Sequence, residues 1–516
     1  MRVIDFLDHG LAREPTRDCL RDKHGRFTHR EVTLASHRIA HALRAAGLAK
    51  GSPVAFFVPN CALAVIAMIA VFRAGMIWLP VHPRNATDEN AEFMAANDCE
   101  FLFYHSRTAP DAEKMTAGVP SLKGRLCLDV ETADGPALLD WSSGYPDHYE
   151  DASVEPNDIA WIKGTGGTTG RSKSVMISNR SATTLFTTFH WCMPIPSGHV
   201  HLAAAPISHG AGTFSLCSLC NGGTIVLIDK AEPGAVLDAI EAHRVTTVFL
   251  PPTVVYGILD RPDVRTRDYS SLRHLIYTSA PISADRLHEA LGVFGPVLTQ
   301  IFGQTEAPAM LTYISPEEHL LEDGPILRRR LTSCGRKTPF VKLEIMDDDG
   351  KLLGPNEVGE IVVRSELVMK GYRDNPEENE RVSRFGWHHT GDVGTRDEDG
   401  YFYIVDRKKD MIISGGFNIF PSEIEQVLWS HPWVLDCAVV GTPDAKWGEA
   451  VTAVIELKSG AQADTSVLQA FCRERLGSMK TPKRIEIWPE LPRSSVGKVL
   501  KKDIREHFWS GQARRV

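Results

Sequence analysis

The segment at residues 161–173 combines residue types that bind phosphate. The apolar pair Trp161-Ile162 leads through Lys163 into a loop of glycines and threonines, and Lys173 follows that loop. Glycine lets backbone N–H groups approach an anion closely, while hydroxyls and a lysine add charge-assisted donors. The glycine spacing follows neither the Walker A nor the GxGxxG pattern. Composition alone therefore leaves two interpretations open, a phosphate-binding loop and a mobile surface loop.

Four further segments place carboxylates, hydroxyls and cations beside glycines. They are FGQTE at residues 302–306, WHHTGD at 387–392, DRKKD at 406–410 with SGGFNI at 414–419, and PRSSVGK at 492–498. Together with the loop at 161–173, they resemble in order the motifs of the adenylate-forming superfamily, which includes acyl-CoA synthetases, luciferases and the adenylation domains of peptide synthetases. The resemblance extends over essentially the whole chain, and five ordered motifs are very improbable by chance.

The resemblance implies a fold, an activity and a division of the chain. It implies a mixed α/β protein whose large N-terminal domain of layered sheets and helices, residues 1–408, holds the acid and ATP. A small, mobile α+β domain, residues 409–516, carries the catalytic lysine. The implied activity is that of an acid–CoA ligase: ATP adenylates a carboxylic acid in the presence of Mg²⁺, and coenzyme A then takes the acyl group as a thioester. The implied partners are therefore small molecules.

Most of the implied site residues contact the nucleotide. Phosphate contacts are implied for Thr165, Gly166, Thr168, Thr169, Gly170 and Lys173. The surroundings of adenine are implied for Ser279, Ala280, Pro281, Phe302 and Gly303. Phe302 would stack on the ring. Asp392 would accept both ribose hydroxyls, which suits a carboxylate with two acceptor oxygens, and Arg407 would reach the ribose or a phosphate.

Three residues are implied in catalysis. Thr305 would contact the α-phosphate, Glu306 would help to hold Mg²⁺, and Lys498 stands where the family places its catalytic lysine. Taken singly, a glutamate or a lysine of this kind is more often an exposed surface group. Lys501 and Lys502, just beyond the last motif, are expected to be solvated at the start of a helix.

The resemblance also implies movement between two reaction steps. Lys409 stands where the family pivots its small domain, and Gly415 and Gly416 would line the thiol tunnel after the rotation. The alternative for Lys409 is a boundary charge with no hinge role.

The glycine loop departs from the family pattern at two positions. Residues 165–167 read Thr-Gly-Gly where the family usually has Thr-Ser-Gly, so one hydroxyl is missing, and Ser174 replaces the glycine that usually follows the lysine. Lys173 is retained. We expect Ser174 to restrict the backbone at the end of the loop.

The expected acid pocket is apolar. His209 lies in PISHGAG at residues 206–212, which resembles the segment whose histidine borders the acyl group; a packed structural histidine is the alternative. Gly303 and Ala307 add small or apolar surface. Amino-acid-activating relatives carry an aspartate near this histidine, and none occurs between Pro206 and Cys220. No arginine in these segments suits a second carboxylate. We therefore expect a hydrophobic acid, either fatty or aromatic or alicyclic.

Three classes of function compete. The first is the CoA ligase, with fatty-acid and lipid metabolism as its setting. The second is an adenylating enzyme that passes the acyl group elsewhere, to a carrier protein or to oxygen. The third is a non-catalytic binder of nucleotide or acyl ligand. Retention of Glu306, Asp392 and Lys498 together argues against the third class.

The elements that must position these residues alternate in the first half of the chain. Strands are predicted at 53–58, 76–81, 101–104, 159–163, 224–228, 245–250 and 274–277, and helices at 38–48 and 60–74. Such alternation predicts largely parallel sheets, with ligands at the carboxyl ends of strands. After residue 331 the pattern is β-rich, with strands at 341–346, 359–364, 401–405, 411–413, 434–440 and 451–457 and helices at 421–430 and 466–476. The charged run 406–410 marks the expected domain boundary.

Composition sets broad limits. The 516 residues are 43% hydrophobic with a net charge of −8, which argues against nucleic acid as a partner. The first residues lack a signal-peptide pattern, and the most apolar helical stretch, 62–74, is too short to span a bilayer. The ten scattered cysteines suit reduced thiols, so we expect a cytoplasmic protein. The oligomeric state is open, with a homodimer as one option.

Overall fold

The described part of the chain folds as a mixed α/β protein with three sheets. The computed structural model describes residues 1–149, 154–165, 172–278, 282–320, 329–462, 464–493 and 499–510. Sheets of thirteen, seven and five strands account for the described strands. The predicted mixed α/β class is confirmed.

The strands and helices have the following bounds. The strands are β1 (Asp18–Asp22), β2 (Gly25–Thr28), β3 (Pro53–Phe57), β4 (Ile77–Pro80), β5 (Phe101–Tyr104), β6 (Gly124–Cys127), β7 (Ile159–Thr165), β8 (Lys173–Ser178), β9 (Val200–Ala203), β10 (Thr224–Leu227), β11 (Thr247–Leu250), β12 (His274–Tyr277), β13 (Leu298–Phe302), β14 (Thr312–Ile314), β15 (Gly335–Lys337), β16 (Lys342–Met346), β17 (Gly359–Arg364), β18 (Gly371–Tyr372), β19 (His388–Arg396), β20 (Tyr401–Arg407), β21 (Ile412–Ser414), β22 (Phe417–Ile419), β23 (Val434–Asp444), β24 (Gly448–Leu457) and β25 (Arg484–Ile487). The α-helices are α1 (Val3–Leu11), α2 (His29–Ala45), α3 (Ala62–Arg73), α4 (Thr87–Ala96), α5 (Ala109–Thr116), α6 (Leu138–Ser142), α7 (Asn179–Cys192), α8 (Gly210–Leu219), α9 (Pro233–His243), α10 (Pro252–Leu259), α11 (Ala284–Phe294), α12 (Pro376–Val382), α13 (Pro421–Trp429), α14 (Thr465–Lys480) and α15 (Lys501–Trp509). Short 3₁₀ turns occur at Ser106–Thr108, Val264–Thr266, Glu317–Leu320 and Arg384–Gly386.

The seven-stranded sheet has the order β18-β8-β7-β4-β3-β5-β6. Its strands from β7 to β6 are parallel, whereas β8 and β18 extend it in antiparallel fashion. Every residue of β3 is buried, as is typical of a parallel strand covered on both faces. The parallel arrangement predicted for this half of the chain is therefore confirmed here.

Helix α3 is buried, as its apolar sequence predicts. Arg73 at its end is buried with an ion partner: Nη1 lies 2.9 Å from the Asp8 carboxylate, and Nε donates to Ser36 Oγ at 3.0 Å. A paired arginine of this kind avoids the large penalty of an isolated buried charge. Among the described residues, none of the helices has both the length and the apolarity to cross a membrane.

The thirteen-stranded sheet contains strands from both the alternating first half of the chain and the β-rich region after residue 331, which the sequence suggests are separate. Strands β1, β10, β9, β11, β12 and β13 are mutually parallel. From β13 onwards the strands β14, β15, β20, β19, β17 and β16 continue the same sheet in antiparallel pairs. The β-rich character after residue 331 thus extends one sheet.

The five-stranded sheet packs against helices of its own. Its order is β22-β21-β24-β23, with β25 beside β24. Ile412, Ile424 and Leu468 belong to a separate apolar core between this sheet and helices α13 and α14. The charged run 406–410 joins β20 of the large sheet to β21 of the small one. A domain boundary at 408/409 stays a prediction that this change of sheet supports.

Predicted elements differ from the observed ones mainly at their ends. The largest difference is at α2, which is predicted from residue 38 but begins at His29. Thr28 Oγ1 accepts from Glu31 N at 3.2 Å, and the Glu31 carboxylate accepts from Thr28 N at 2.7 Å. This reciprocal capping box starts the helix two and a half turns earlier than the apolar pattern indicates.

Candidate functional site

Strands β7 and β8 carry the ends of the glycine loop. They form an antiparallel pair in which Thr165 lies opposite Lys173. Ser172 Oγ donates to the Thr165 carbonyl at 3.0 Å, which closes the hairpin at the point where the loop emerges. Both ends of the predicted phosphate loop are therefore held by strands of the buried seven-stranded sheet.

Several predicted site residues lie outside the described part of the chain. They are Gly166, Thr168, Thr169, Gly170, Ser279, Ala280, Pro281 and Lys498. Their roles stay predictions.

Ser174 takes a regular place in β8. It lies opposite Gly164, its Oγ accepts from Asn97 Nδ2 at 2.9 Å, and its carbonyl accepts from Arg373 N at 2.9 Å. Extended backbone suits any residue. Serine at this position does restrict the backbone compared with glycine, but the backbone of β8 is extended here, and serine adopts that conformation without strain.

A chain of contacts joins Lys173 to Glu306. The Lys173 ammonium pairs with Glu378 and lies 5.1 Å from the centre of the Tyr372 ring. The Tyr372 hydroxyl donates to Glu306 Oε1 at 2.8 Å. Bonds from Arg381 and then Lys173 lower the pKa of Glu378 to about 2, although its partial burial opposes the shift. The basic end of the glycine loop and the carboxylate of FGQTE thus belong to one polar network.

The FGQTE segment begins where β13 ends. Phe302 is the last, buried residue of the strand, and a Cβ at Gly303 would lie 2.6 Å from the backbone nitrogen of Ala309. Glycine is therefore required by the turn itself, apart from any room it leaves for a ligand. Thr305 and Glu306 follow and are partly exposed, whereas Ala307 is fully buried.

Asp392 and Arg407 are brought together by strand register. They are direct partners on the antiparallel strands β19 and β20, and Arg407 Nε lies 2.6 Å from Asp392 Oδ1. The Asp392 side chain is 4% exposed and that of Arg407 is 41% exposed. At the other end of the same motif, His388 Nε2 lies 3.3 Å from Gln304 Nε2. The WHHTGD and FGQTE segments are therefore adjacent in space.

Lys408 anchors the charged run to the large sheet. Its ammonium lies 2.6 Å from Asp348 Oδ1 and 3.1 Å from Glu360 Oε2. Glu360 Oε1 also accepts from Gly391 N at 3.0 Å, in the turn before Asp392. Burial alone would lower the pKa of Lys408, but Asp348 and Glu360 outweigh burial and raise it.

The residues after Lys408 face the small sheet's helices. Asp410 Oδ1 lies 2.5 Å from Arg505 Nη2 on α15, and its pKa is lowered because nearby lysine and arginine charges outweigh its burial. Lys409 therefore lies between Lys408, which is ion-paired to the large sheet, and Asp410, which is ion-paired to α15. Burial lowers the pKa of Lys409, and Lys173 is among the cations that lower it further. Lys409 thus lies within electrostatic range of the end of the glycine loop.

Gly415 and Gly416 form the turn between β21 and β22. Their φ angles of +59° and +84° are those of a two-residue hairpin turn that favours glycine at both positions. A Cβ at Gly415 would also lie 2.6 Å from the Trp447 ring. The tight turn accounts for both glycines, and their role at a thiol tunnel stays a prediction.

His209 lies next to the start of α8 and contacts a second histidine. Its ring centre is 4.8 Å from that of His82 in an edge-to-face arrangement. Burial, followed by the charges of His82 and Lys163, lowers the pKa of His209 to about 3. The imidazole is therefore neutral at physiological pH, which suits the wall of an apolar pocket.

Sequence reasoning missed four side chains of this site. Tyr372 and Glu378 belong to no motif, and Lys163 and His82 line the region around His209. A usable signal existed for Lys163, because it is the one charged residue in the apolar strand β7.

The site suits Mg²⁺ held mainly through phosphates. No group of three or more metal-binding side chains occurs among the residues that the structure describes. Mg²⁺ is commonly bound by one or two carboxylates together with substrate phosphates. Glu306, which is partly exposed beside the loop's lysine network, is the predicted residue that could supply such a carboxylate.

Comparison with known proteins gives consistent results. Residues 7–373 match the family model described as AMP-binding enzyme, and residues 423–498 match the AMP-binding enzyme C-terminal domain. A medium/long-chain-fatty-acid–CoA ligase of Mycobacterium tuberculosis is 41% identical over 71% of this chain and 64% of its own length. A feruloyl-CoA synthase of an Amycolatopsis species is 36% identical over 93% of this chain and 94% of its own. The structure of an amide bond synthetase from Marinactinospora thermotolerans superposes with a TM-score of 0.89 at 32% identity, covering 98% and 100% of the two chains.

Proposed function

Because the chain belongs to the AMP-binding enzyme family, we propose that it is an ATP-dependent acid–CoA ligase acting on a hydrophobic carboxylic acid. The observation that carries this proposal is the convergence of its motifs. The loop residue Lys173 connects through Tyr372 to Glu306, and Gln304 connects FGQTE to the segment of Asp392. Residues far apart in sequence thus surround one site with phosphate-binding, metal-binding and ribose-binding chemistry.

The proposed nucleotide contacts follow from these positions. The buried carboxylate of Asp392, fixed by Arg407, would accept the ribose hydroxyls. Lys173 would exchange its bond to Glu378 for phosphate oxygens, since an ammonium binds either anion. Glu306 would hold Mg²⁺, which withdraws charge from the phosphates when it is bound.

The first half-reaction needs charge stabilisation more than proton transfer. A carboxylate oxygen of the acid attacks the α-phosphorus, the bond to the β-phosphate oxygen breaks, and pyrophosphate leaves. The acid is already ionised near neutral pH, so no general base is required. Negative charge grows on the α-phosphate oxygens, and Lys498, Thr305 and the loop amides would oppose it.

The second half-reaction replaces AMP by a thiol. The sulfur of CoA attacks the acyl carbon, the thiol proton passes to solvent, and the bond to the phosphate oxygen of AMP breaks. The small domain, proposed as residues 409–516, would turn about Lys409 and bring Gly415 and Gly416 towards the thiol.

The acid is proposed to be fatty, aromatic or alicyclic. Ala307 is fully buried beside the partly exposed Gly303, and His209 is neutral. Two of the similar proteins are named for medium- and long-chain fatty acids and for a feruloyl group, which supports a fatty or aromatic acid. A carrier-protein thiol is the alternative acceptor. An amine is a third possible acceptor, because one structural neighbour is named as an amide bond synthetase.

The test is pyrophosphate release with a panel of fatty, benzoic, cinnamic and alicyclic acids. Each acid is assayed alone and with CoA, a phosphopantetheinylated carrier protein or an amine. We expect release with at least one acid and a thioester with CoA. Release with no acid in the panel would contradict the enzymatic proposal. If pyrophosphate is released but the acyl group is transferred only to the carrier protein or to the amine, that compound and not CoA is the acceptor.

Replacing Glu306 by glutamine is expected to weaken adenylation through Mg²⁺. The amide has the shape of the carboxylate and still accepts from Tyr372, but it loses the charge that binds the metal. We expect about a 10-fold lower kcat/KM and a higher Mg²⁺ concentration for half-maximal exchange of pyrophosphate with ATP. Tyr372→Phe is the matched control, because it removes the hydrogen bond and keeps the charge. An unchanged Mg²⁺ requirement in Glu306→Gln would argue against a metal role.

A further inference from the structure

Lys163 brings a cation into the apolar region beside His209. Its ammonium donates to Thr213 Oγ1 at 2.8 Å and to the His209 carbonyl at 3.3 Å. Both acceptors are neutral. The ion pairs of the described residues include none with Lys163, so no carboxylate in that part of the chain balances its charge.

Two aromatic rings lie beside this ammonium. It lies 5.0 Å from the centre of the Trp78 ring and 5.7 Å from that of Trp161. Burial lowers the pKa of Lys163 to about 7, with Cys217 opposing the shift. A group that is so costly to charge gives no advantage to a pocket that binds only hydrocarbon.

His82, which contacts the ring of His209, is a second buried donor near that histidine. Its side chain is 4% exposed, and Nδ1 accepts from Arg84 N at 3.0 Å. A neutral ring that accepts at Nδ1 carries its proton on Nε2. That Nε2 is buried and makes no hydrogen bond to any residue that the structure describes. Buried donors without an acceptor are rare in folded proteins, and a bound ligand is one explanation for such a donor.

The two donors contact the same residue, His209, which directly precedes α8. His209 contacts His82 through its ring and Lys163 through its carbonyl. Lys163 and His209 are partly accessible, although Ile162 and Ala211 beside them are buried. The accessible parts of Lys163 and His209 are therefore where a bound acid could reach this group of residues.

We propose that Lys163, together with His82, makes the acid pocket selective for a carboxylic acid whose carbon skeleton carries an oxygen acceptor, such as a ketone, an ether or a second carboxylate. This selectivity rests on the proposed ligase function. The acceptor would complete the hydrogen bonds of donors that the protein leaves among neutral groups and rings. A site built around buried donors rejects an analogue that lacks the acceptor far more strongly than an apolar site rejects an extra oxygen.

The test uses matched acids built on the best plain acid of the pyrophosphate panel. A series carries one keto group at successive positions along the same skeleton, with the plain acid as reference. We expect the wild-type protein to use at least one keto acid with a kcat/KM about 10-fold above the plain acid, the range for one hydrogen bond to a charged group. In Lys163→Met the ratio falls to about 1, because methionine keeps the length and apolar stem but loses the donor.

The controls separate this inference from the proposed function. Lys114→Met changes an exposed lysine of α5, whose side chain is 73% accessible, and should leave the ratio unchanged. The wild-type ratio needs no variant, so the inference can be tested even where Lys163→Met folds poorly in a thermal melt. A wild-type preference for the plain acid over every keto acid would overturn it, as would equal losses with both acids in Lys163→Met. A wild-type protein inactive on the whole panel would contradict the ligase proposal itself.

Discussion

An alanine at position 498 is expected to slow adenylation by about 100- to 1,000-fold, the range for removing one donor from a charge that develops in the transition state. The carboxylate that attacks ATP is an anion approaching an anion, and the α-phosphate oxygens gain charge as pyrophosphate leaves. A lysine at Lys498 would oppose that charge only in this first step. In thioester formation the phosphate oxygen of the departing AMP also gains charge, but the resemblance implies that the small domain has by then turned and withdrawn Lys498. We therefore expect Lys498→Ala to retain thioester formation from a supplied acyl-adenylate.

The two half-reactions are measured separately. Exchange of labelled pyrophosphate into ATP reports adenylation, and CoA with synthetic acyl-adenylate reports thioester formation. Lys502→Ala is the matched control, since this lysine is partly exposed on α15 and pairs only at 3.5 Å with Glu506. Equal losses of Lys498→Ala in both half-reactions would rule out a role confined to adenylation.

The positions of several site residues could be predicted because they depend on local pattern. Apolar runs predict the strand that leads into the glycine loop and the strand that ends near Arg407, and the polar motif that follows each run marks a strand end where ligands bind. The pairing of Asp392 with Arg407 follows once β19 and β20 form a hairpin-like pair around an acidic turn. These features need only neighbouring residues for their prediction.

Other contacts depend on residues that are distant in sequence. Tyr372 lies 66 residues from Glu306, and Glu378 lies 205 residues from Lys173. Neither belongs to a motif, and side-chain type alone does not show which tyrosine or glutamate meets the site. The antiparallel extension of the thirteen-stranded sheet is of the same kind, because strand order is set by long-range pairing.

The expectation for Lys501 was wrong for a related reason. A lysine at a helix start is usually solvated, but Lys501 Nζ lies 2.8 Å from the buried Glu425 Oε1. Burial raises the pKa of Glu425 while Lys501 opposes the shift, and both groups sit between α13 and α15. Only the packing of those two helices reveals that this lysine balances a buried carboxylate.

The charged run 406–410 has the layout of a pivot. Lys408 pairs with Asp348 and Glu360 beside the large sheet, whereas Asp410 pairs with Arg505 of helix α15. Lys409 is the residue between these two anchors, and we propose that the backbone rotates there while both sets of ion pairs persist. Hinges commonly confine a large change of φ and ψ to such a position.

Lys409→Pro is therefore expected to slow thioester formation and spare adenylation, which is the opposite of the effect expected for Lys498→Ala. Proline fixes φ near −65° and blocks rotation about that bond. We expect thioester formation from supplied acyl-adenylate to fall by about 100-fold, while pyrophosphate exchange changes by less than about 3-fold, because only the second step requires the turned domain. Rapid-quench measurement of both half-reactions with the same acid checks the prediction.

Lys409→Ala is the matched control, because it removes the same side chain but leaves the backbone free to rotate. If the charge of Lys409 mattered through its proximity to Lys173, alanine and proline would have similar effects. If backbone rotation matters, alanine stays close to the wild type and only proline impairs the second step. Losses of equal size in both half-reactions of Lys409→Pro would mean that the pivot lies elsewhere. Lys408 and Asp410 are each held to one side by ion pairs, so each would then move together with its ion-pair partners.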